Sequence, residues 1–241
     1  MNAIEDNEYS TSWAKMGEKL KKPMAILSVS AHWYTPGTRI TDSARPKTIY
    51  DMYGFPEALY EVRYQPPGAP ELAHEVAGLI GSGVQIDNTW GIDHGSWSVL
   101  RKMFPAADIP VVQLSVDANA DAQSHFRIGT EIRALRDKGV MLFGSGNIVH
   151  NLSRVNWGMA DGYPWAQEFD MYIKDSVINR RFKDVVNYNK SGFSVEKPFY
   201  TPDHFYPLLY VLGASYDDDT LTVFNDSCTL GALSMTSFLL N

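Results

Sequence analysis

Short apolar runs alternate with stretches of helical periodicity along the chain, and this alternation predicts its secondary structure. Three apolar runs have the length of strands, 25–30, 109–116 and 140–143, and 84–86 is predicted as a further short strand. Helical patterns lie before and between them, over 13–20, 71–80, 96–104, 121–138 and 164–180, and a further helix follows Thr201-Pro202. Two last strands are predicted over 221–224 and 231–239. Strands that alternate with helices favour an α/β fold with a largely parallel sheet covered on both faces.

Helix boundaries and one long loop are also visible in the sequence. Asp6 or Asn7 could cap the first helix, and Lys21-Lys22-Pro23 ends it. The stretch 34–70 is rich in Pro, Gly and aromatic residues and has little periodicity, so we interpret it as a functional loop region. No internal repeat and no linker interrupts the sequence. We therefore predict that residues 1–241 form a single domain.

Composition and charge narrow the class of protein. The chain is 44% hydrophobic and 20% charged, with a formal net charge of −7 and no run of basic residues, which argues against nucleic acid or an anionic membrane as a partner. The acidic N-terminus lacks the order of a signal peptide, and no apolar stretch approaches the roughly 20 residues that span a bilayer. Cys228 is the single cysteine, so no intrachain disulfide forms, and we interpret it as a core residue. We expect a soluble, cytoplasmic protein, either a monomer or a small homo-oligomer.

Four of the six histidines occupy related positions. His32 ends a predicted strand, His150 follows a strand and a Gly-rich turn, His94 lies in a Gly-flanked loop, and His204 lies in the first turn of a helix. Ligand sites of α/β proteins form outside the carboxyl ends of the strands, so these side chains can converge. Each histidine alone is more often structural. Together they favour a metal site, because neutral imidazole is the commonest protein ligand for iron and zinc.

Other motifs carry less information. His74 and His125 lie inside predicted helices, and we assign them no role. Gly144-Ser145-Gly146 lacks the third glycine and the acidic residue of a dinucleotide fingerprint. Gly95-Ser96-Trp97 does not continue as the Gly-x-Ser-x-Gly of a nucleophile elbow. The acidic run 217–219 is interpreted as a surface turn rather than a cation site.

Several sequence blocks together resemble a known family. The histidines lie in Ser28-Val29-Ser30-Ala31-His32-Trp33, Gly91-Ile92-Asp93-His94-Gly95-Ser96-Trp97, Gly146-Asn147-Ile148-Val149-His150-Asn151-Leu152 and Thr201-Pro202-Asp203-His204-Phe205-Tyr206-Pro207-Leu208-Leu209. Tyr53-Gly54-Phe55-Pro56 and Tyr163-Pro164-Trp165 add to them. These blocks resemble the class III extradiol ring-cleaving dioxygenases, and within them the 4,5-DOPA dioxygenase group, in family order over nearly the whole chain. The resemblance implies a single three-layer α/β/α domain.

The resemblance also implies a site and its chemistry. A non-haem Fe²⁺ would bind a catechol substrate such as DOPA together with O₂, and Zn²⁺ can occupy such a site in the isolated protein. By resemblance His32 and His204 are metal ligands. His150 is the acid/base histidine beside the metal, close enough to serve as an extra ligand, and His94 is a second catalytic histidine that hydrogen-bonds substrate or oxygen.

Aromatic residues near these histidines are candidate walls for a flat substrate. Trp33, Tyr53 and Phe55 could bind the face of a catechol ring. The same residues could equally anchor the loop 34–70 to the core. Two other functions stay open beside the dioxygenase: a zinc-dependent hydrolase on the same scaffold, and a catalytically inactive binding protein that keeps the pocket.

One part of the family pattern lies outside the sequence. The family begins with a strand that ends in His-Gly-Ser-Pro, whose histidine is a further metal ligand. The present sequence begins with residues that resemble those just after that motif. We therefore expect the chain as given to bind iron or zinc weakly, since two histidines hold a metal less tightly than three protein ligands.

Overall fold

The computed structural model describes residues 2–81, 83–194 and 196–241. These residues form eight α-helices: α1 (Glu8–Lys19), α2 (Glu57–Tyr60), α3 (Pro70–Ile80), α4 (His94–Met103), α5 (Ala122–Ile132), α6 (Pro164–Ile178), α7 (Phe182–Val186) and α8 (Tyr206–Gly213). They also form nine strands: β1 (Ala25–Thr35), β2 (Arg39–Ile40), β3 (Gln85–Ile86), β4 (Val111–Asp117), β5 (Val140–Ser145), β6 (Leu221–Phe224), β7 (Cys228–Thr229), β8 (Leu233–Ser234) and β9 (Ser237–Leu240). Two of the 3-10 helices matter below, Arg133–Lys138 and Pro202–His204.

The central sheet has five strands in the order β3-β2-β4-β1-β5. Strand β1 pairs in parallel with β4 on one side and with β5 on the other. The short strands β2 and β3 pair in parallel with each other, and β2 pairs antiparallel with β4. This confirms the predicted, mostly parallel α/β sheet. The predicted strand 221–224 is β6, whereas the predicted strand 231–239 is divided between the short strands β8 and β9. These strands form two small separate antiparallel sheets, β6 with β9 and β7 with β8. Only the three residues 230–232 join β7 to β8, a length that suits an antiparallel hairpin, whereas parallel pairing needs a long crossover.

Side chains of alternating residues on β1 pack into two different hydrophobic clusters, one on each face of the sheet. Leu27 and Val29 pack with buried residues of α3, α5, α6 and α8. Ile26 packs with Trp13 of α1 and Trp97 of α4. Because β1 is buried on both faces from Ala25 to Ala31, its sequence reads as a continuous apolar run interrupted only by small serines. The single three-layer α/β/α domain is confirmed.

Side-chain caps explain where three helices begin. Asn7 caps α1 in a reciprocal capping box with Ser10, as one of the two predicted caps. Asp93 accepts from the backbone N–H of Ser96 at the start of α4, and Asp121 caps α5 in the same way. The predicted helix 121–138 is α-helical only as far as Ile132 and tightens into a 3-10 helix afterwards.

Strand β1 is longer than its apolar run. The sequence predicts a strand that ends at Ser30, but β1 continues to Thr35. Its ladder with β5 stops at the pair Ser30–Ser145, and its register with β4 shifts between Val29 and Tyr34. His32 therefore lies in the irregular part of a strand, beyond the end of the regular parallel ladder. Backbone irregularities of this kind often redirect a side chain beside an active site.

Strand β5 forms one border of the central sheet. Its residues after Val140 are only half-buried, and Met141–Ser145 line a cavity of about 830 Å³ that also reaches α1, α8 and β9. His32, His94 and His204 line the same cavity. In the described part of the chain, the helices are too short or too polar to cross a membrane.

Candidate metal centre

Four histidine rings form a contiguous cluster, as their sequence positions predict. The ring of His32 lies 4.0 Å from that of His94 and 5.0 Å from that of His204, measured between centroids. The ring of His150 stacks on that of His204 at 3.5 Å with an interplanar angle of 2°. The cluster thus runs in the order His94, His32, His204, His150.

Each of these rings is delivered by a different element. His32 lies on β1, His94 is the first residue of α4, and His204 is the last residue of the 3-10 helix before α8. His150 follows β5, and its backbone N–H donates to the carbonyl of Pro198 at 2.8 Å. The site therefore forms beyond the carboxyl ends of the parallel strands β1 and β5, where α/β proteins place their ligand sites.

Two glycines allow these elements to approach each other closely. A Cβ on Gly95 would lie 2.7 Å from Cδ2 of His32, so only glycine fits between α4 and this ring. A Cβ on Gly146 would lie 2.1 Å from the carbonyl oxygen of His204. Asn147 donates its backbone N–H to that same carbonyl at 2.8 Å. The glycine in the turn after β5 thus allows this turn to pack closely against the backbone of His204.

A fully buried carboxylate fixes the start of α4. Asp93 accepts hydrogen bonds from Ser30 Oγ (2.8 Å), from the backbone N–H of Ser96 (3.1 Å) and from Trp90 Nε1 (3.3 Å), and from the Gln113 amide. Because Ser30 lies two residues before His32 and Asp93 lies directly before His94, this network ties the two histidine-bearing segments together. A buried charge is tolerated only when it is paired by donors in this way.

Two further carboxylates contact ring nitrogens of the cluster. Asp203 Oδ2 lies 2.7 Å from His204 Nδ1. Asp51 lies between two rings, with Oδ2 3.0 Å from His32 Nδ1 and Oδ1 2.9 Å from His94 Nδ1. The Asp51–His94 pair is close but misaligned, and this buried Nδ1 has no hydrogen-bond partner among the described residues.

The cluster shifts the pKa values of its own members. Burial lowers the pKa of His204, and this outweighs the opposing effect of Asp203. Burial and the neighbouring imidazoles lower the pKa of His150 to about 3. For His32, burial also disfavours the charged form, but the hydrogen bond to Asp51 and the charges of nearby carboxylates outweigh it, so its pKa is raised. His150 and His204 are consequently neutral near pH 7.

The two carboxylates titrate in the opposite sense. Burial would raise the pKa of Asp51, yet its contacts with His32 and His94 lower it well below the usual range. The pKa of Asp203 is lowered in the same way by His204, against the effect of burial. Both groups are therefore anionic at neutral pH and act as acceptors toward the imidazoles.

These donors fit a divalent transition metal. A carboxylate on Nδ1 leaves the Nε2 lone pair of His32 and of His204 free to coordinate, which is the usual arrangement around metal-bound histidine. Ligand atoms from His32, Asp51 and His94 also lie within 4.8 Å of one another. Imidazole and carboxylate donors together suit iron and zinc.

The three aromatic residues predicted to bind substrate lie in three different environments. Phe55 is 39% exposed and lines the cavity that His32, His94 and His204 also line. Trp33 is buried and stacks on Trp90, with ring centroids 6.2 Å apart. Tyr53 is 90% exposed. Of the three, Phe55 has the position of a cavity wall.

Sequence reasoning missed the acidic residues of the site. Asp93 and Asp203 each stand directly before a clustered histidine, and this repeated Asp-His pair is a signal that could have revealed them. Asp51 carries no such signal, because it lies 19 residues after His32 and 43 before His94. Only the path of the loop brings it between the two rings.

The mostly parallel sheet, with a histidine cluster at the carboxyl ends of its strands, is typical of α/β enzymes that bind a metal at that edge of the sheet. Residues 4–235 match the family described as the catalytic LigB subunit of aromatic ring-opening dioxygenase, and the chain belongs to this family. It is accordingly an extradiol aromatic ring-opening dioxygenase. The family is metal-dependent, and it implies a small aromatic substrate and dioxygen.

Curated relatives and a solved structure agree with this membership. A 4,5-DOPA dioxygenase extradiol of Escherichia coli K12 is 46% identical over 98% of this chain and 89% of its own length. A protein of the same name from Beta vulgaris is 38% identical over 99% of this chain and 91% of its own length. The crystal structure of an uncharacterized protein from Escherichia coli K12 matches with a TM-score of 0.83 and 42% identity, over 98% of this chain and 93% of that one.

Proposed function

We propose that this chain opens the ring of a catechol such as DOPA with O₂, using Fe²⁺ held by His32 and His204. His150 is the acid/base residue, and His94 contacts the substrate or oxygen. The observation that carries the proposal is the contiguous row of four imidazoles in which two are held at Nδ1 by carboxylates. Curated relatives named 4,5-DOPA dioxygenase extradiol support the choice of substrate.

The chemistry needs a base that is neutral at working pH. A catechol must lose protons to chelate a metal. Burial and the neighbouring imidazoles lower the pKa of His150, so its ring is neutral and a nitrogen is available as the acceptor once metal binding makes the catechol more acidic. Its stacking on His204 keeps it beside the ligand set. The protonated imidazole can later return that proton as the ring opens.

Metal and pocket supply the remaining requirements. Bound Fe²⁺ supplies Lewis acidity and a template that brings the two reactants together. The cavity of about 830 Å³ is large enough for a small aromatic molecule, and Phe55 offers an apolar wall to its flat ring. Zn²⁺ has ligand preferences close to those of Fe²⁺, so we propose that it can occupy the same site in the isolated protein.

The test is oxygen uptake by protein that has been reconstituted with ferrous iron under anaerobic conditions. L-DOPA is added with air, and oxygen consumption is followed together with the absorbance of a yellow ring-opened product. The expected result is uptake by the iron form and none by the zinc form, because zinc has no redox chemistry. His74→Ala, at an exposed histidine outside the cluster, should behave as the unchanged protein.

Two outcomes would contradict the proposal. Turnover of esters or amides by the zinc form, without oxygen uptake by the iron form, would make the protein a metal-dependent hydrolase. Binding of L-DOPA without either reaction would make it a binding protein on this scaffold.

A further inference from the structure

We propose that Asp51 is a positioning residue for the metal centre: one carboxylate holds His32 in the tautomer that can coordinate and keeps His94 beside it. The role deepens the proposed function and rests on it. Asp51 lies within 4.8 Å of ligand atoms of His32 and His94, but we place it outside the ligand set because protein donors already contact both of its oxygens. Its two oxygens are divided between the rings, with Oδ2 3.0 Å from His32 Nδ1 and Oδ1 2.9 Å from His94 Nδ1.

Donors from the protein already occupy the Asp51 carboxylate. Oδ1 accepts the backbone N–H of His94 at 3.0 Å, and Oδ2 lies at hydrogen-bond distance from His32 Nδ1. A carboxylate that serves as an acceptor on both oxygens stabilises the neighbouring N–H groups. The proton of the neutral His32 ring is then placed on Nδ1, which leaves the Nε2 lone pair available for a metal.

The segment that carries Asp51 is itself held against α4. Trp97 of α4 donates its Nε1–H to the carbonyl of Ile49 at 2.9 Å, and the ring of Tyr50 packs 5.8 Å from that of Trp97. Tyr50 also donates its hydroxyl to the carbonyl of Val62 at 2.6 Å. The loop is thereby fixed on the same helix that begins with His94, so Asp51 is placed before any ligand binds.

The loop that carries Asp51 also contributes residues to the wall of the cavity. Met52 is buried and lines the cavity, and Phe55 lines it further along the same loop. Asp51 therefore stands where the cavity wall meets the imidazoles. Removing its charge should disturb the imidazoles, and the apolar packing of the loop should hold the wall in place.

The first experiment measures Zn²⁺ affinity by competition with a chromophoric chelator, without substrate or oxygen. In Asp51→Asn one carboxylate oxygen is replaced by an NH₂ donor that faces a ring nitrogen. We expect the Zn²⁺ dissociation constant to rise by about 10–100-fold, as for other carboxylates that orient a liganding histidine. Asp87→Asn is the matched control, because that side chain pairs with Arg39 and should leave the affinity unchanged.

The second measurement reports the tautomer directly. Long-range ¹H–¹⁵N spectra of the metal-free protein, at about pH 9 where imidazoles are neutral, distinguish Nδ1–H from Nε2–H rings. His32 should carry its proton on Nδ1 in the unchanged protein and in Asp87→Asn, and should lose this preference in Asp51→Asn. If Asp51→Asn does not fold, Asp51→Ala measured with and without added formate takes its place, and formate should restore the affinity.

The paired results decide the matter. Loss of both the affinity and the Nδ1–H tautomer supports the positioning role. Loss of affinity with an unchanged tautomer would make Asp51 a ligand, and unchanged affinity would leave it no role at the metal, so either result overturns the proposal. Neither measurement uses oxygen or a catechol. A negative oxygen-uptake assay would therefore contradict the proposed function without affecting the conclusion about Asp51.

Discussion

His150 and His204 have parallel rings in contact, yet they are held differently. His204 is buried and its Nδ1 is bound by Asp203, whereas His150 is fixed through its backbone N–H. Its lowered pKa also keeps His150 neutral. A carboxylate-held imidazole is suited to coordination, and a neutral imidazole without such a partner is suited to moving protons.

Substitutions of these histidines should therefore separate two kinds of loss. His150→Phe should lower the rate of ring cleavage by about 100-fold or more, because the acid/base group is removed, while much of the metal remains. His32→Ala and His204→Ala should lower metal content first. Metal analysis of the purified variants beside oxygen-uptake rates makes the comparison. Equal metal loss in all three variants would mean that His150 is chiefly a ligand.

A fifth histidine lies in the core between α5 and α8 and gives a pH dependence of stability. His125 is fully buried, its Nδ1 is 2.9 Å from the Tyr210 hydroxyl, and burial lowers its pKa to about 4. The unfolded chain binds a proton near pH 6.5, whereas the folded chain does not until about pH 4. The stabilisation is thus complete above about pH 6.5 and is lost as the pH falls toward 4.

The expected contribution is about 3 kcal/mol over that window. In His125→Gln the free energy of unfolding should fall less steeply between pH 6.5 and 4 than in the unchanged protein. Urea unfolding at a series of pH values measures the slope. His74→Gln, at a largely exposed histidine, should keep the original slope. An unchanged slope in His125→Gln would show that other groups cause the acid sensitivity.

The helices α5 and α8 cross closely because small residues face each other at the crossing. A Cβ on Gly129 would lie 2.2 Å from the carbonyl oxygen of Tyr210, and a Cβ on Gly213 would lie 2.0 Å from that of Phe126. Both obstacles are backbone atoms, which cannot rotate away. Only Phe205 separates His204 from the start of α8, so this crossing also bears on where the histidine cluster is held.

Gly129→Ala should therefore destabilise the fold by about 1–3 kcal/mol, since the helices must move apart. Gly78→Ala on α3 is the matched substitution, because a Cβ there meets nothing within 4 Å. It should stabilise the protein by about 0.5–1 kcal/mol through helix propensity. Denaturant unfolding compares the two. Equal effects of the two alanines would refute a steric role for Gly129.

The candidate site connects parts of the chain that are far apart in sequence. His32 comes from β1 and His204 from the turn before α8, and the two rings meet across the end of the sheet. A ligand that needs both positions binds only the folded chain. Its binding free energy therefore adds to the stability of the whole molecule.

Added Zn²⁺ should accordingly raise the melting temperature. At a free concentration of about 100 times the dissociation constant the gain is about 2.7 kcal/mol, which corresponds to about 5–10 °C for a chain of this size. The double variant His32→Ala/His204→Ala should show no rise. Thermal scans with and without a chelator make the measurement. A rise of the same size in the double variant would place the metal elsewhere.

Local information in the sequence was enough for the main buried strands, for the longer helices and for the histidines, but not for short elements such as β2, α2 and α7. The buried strands β1, β4 and β5 read as apolar runs because both of their faces are covered, and caps such as Asn7 mark helix starts through contacts within a few residues. The histidines were recognisable because imidazole after strands and turns is an uncommon combination, and the block pattern indicated the family. These features depend on neighbours in sequence.

What only the tertiary structure decided depends on contacts across long sequence separations. The extension of β1 to Thr35 follows from its pairing with β4, in which Tyr34 and Thr35 are aligned with Val116 and Asp117. The residues of β1 alone do not specify this pairing. The placement of Asp51 between His32 and His94 follows from the packing of its loop on α4. The environments of Trp33, Tyr53 and Phe55 also differ for this reason, because burial of an aromatic ring is settled by what the fold brings next to it.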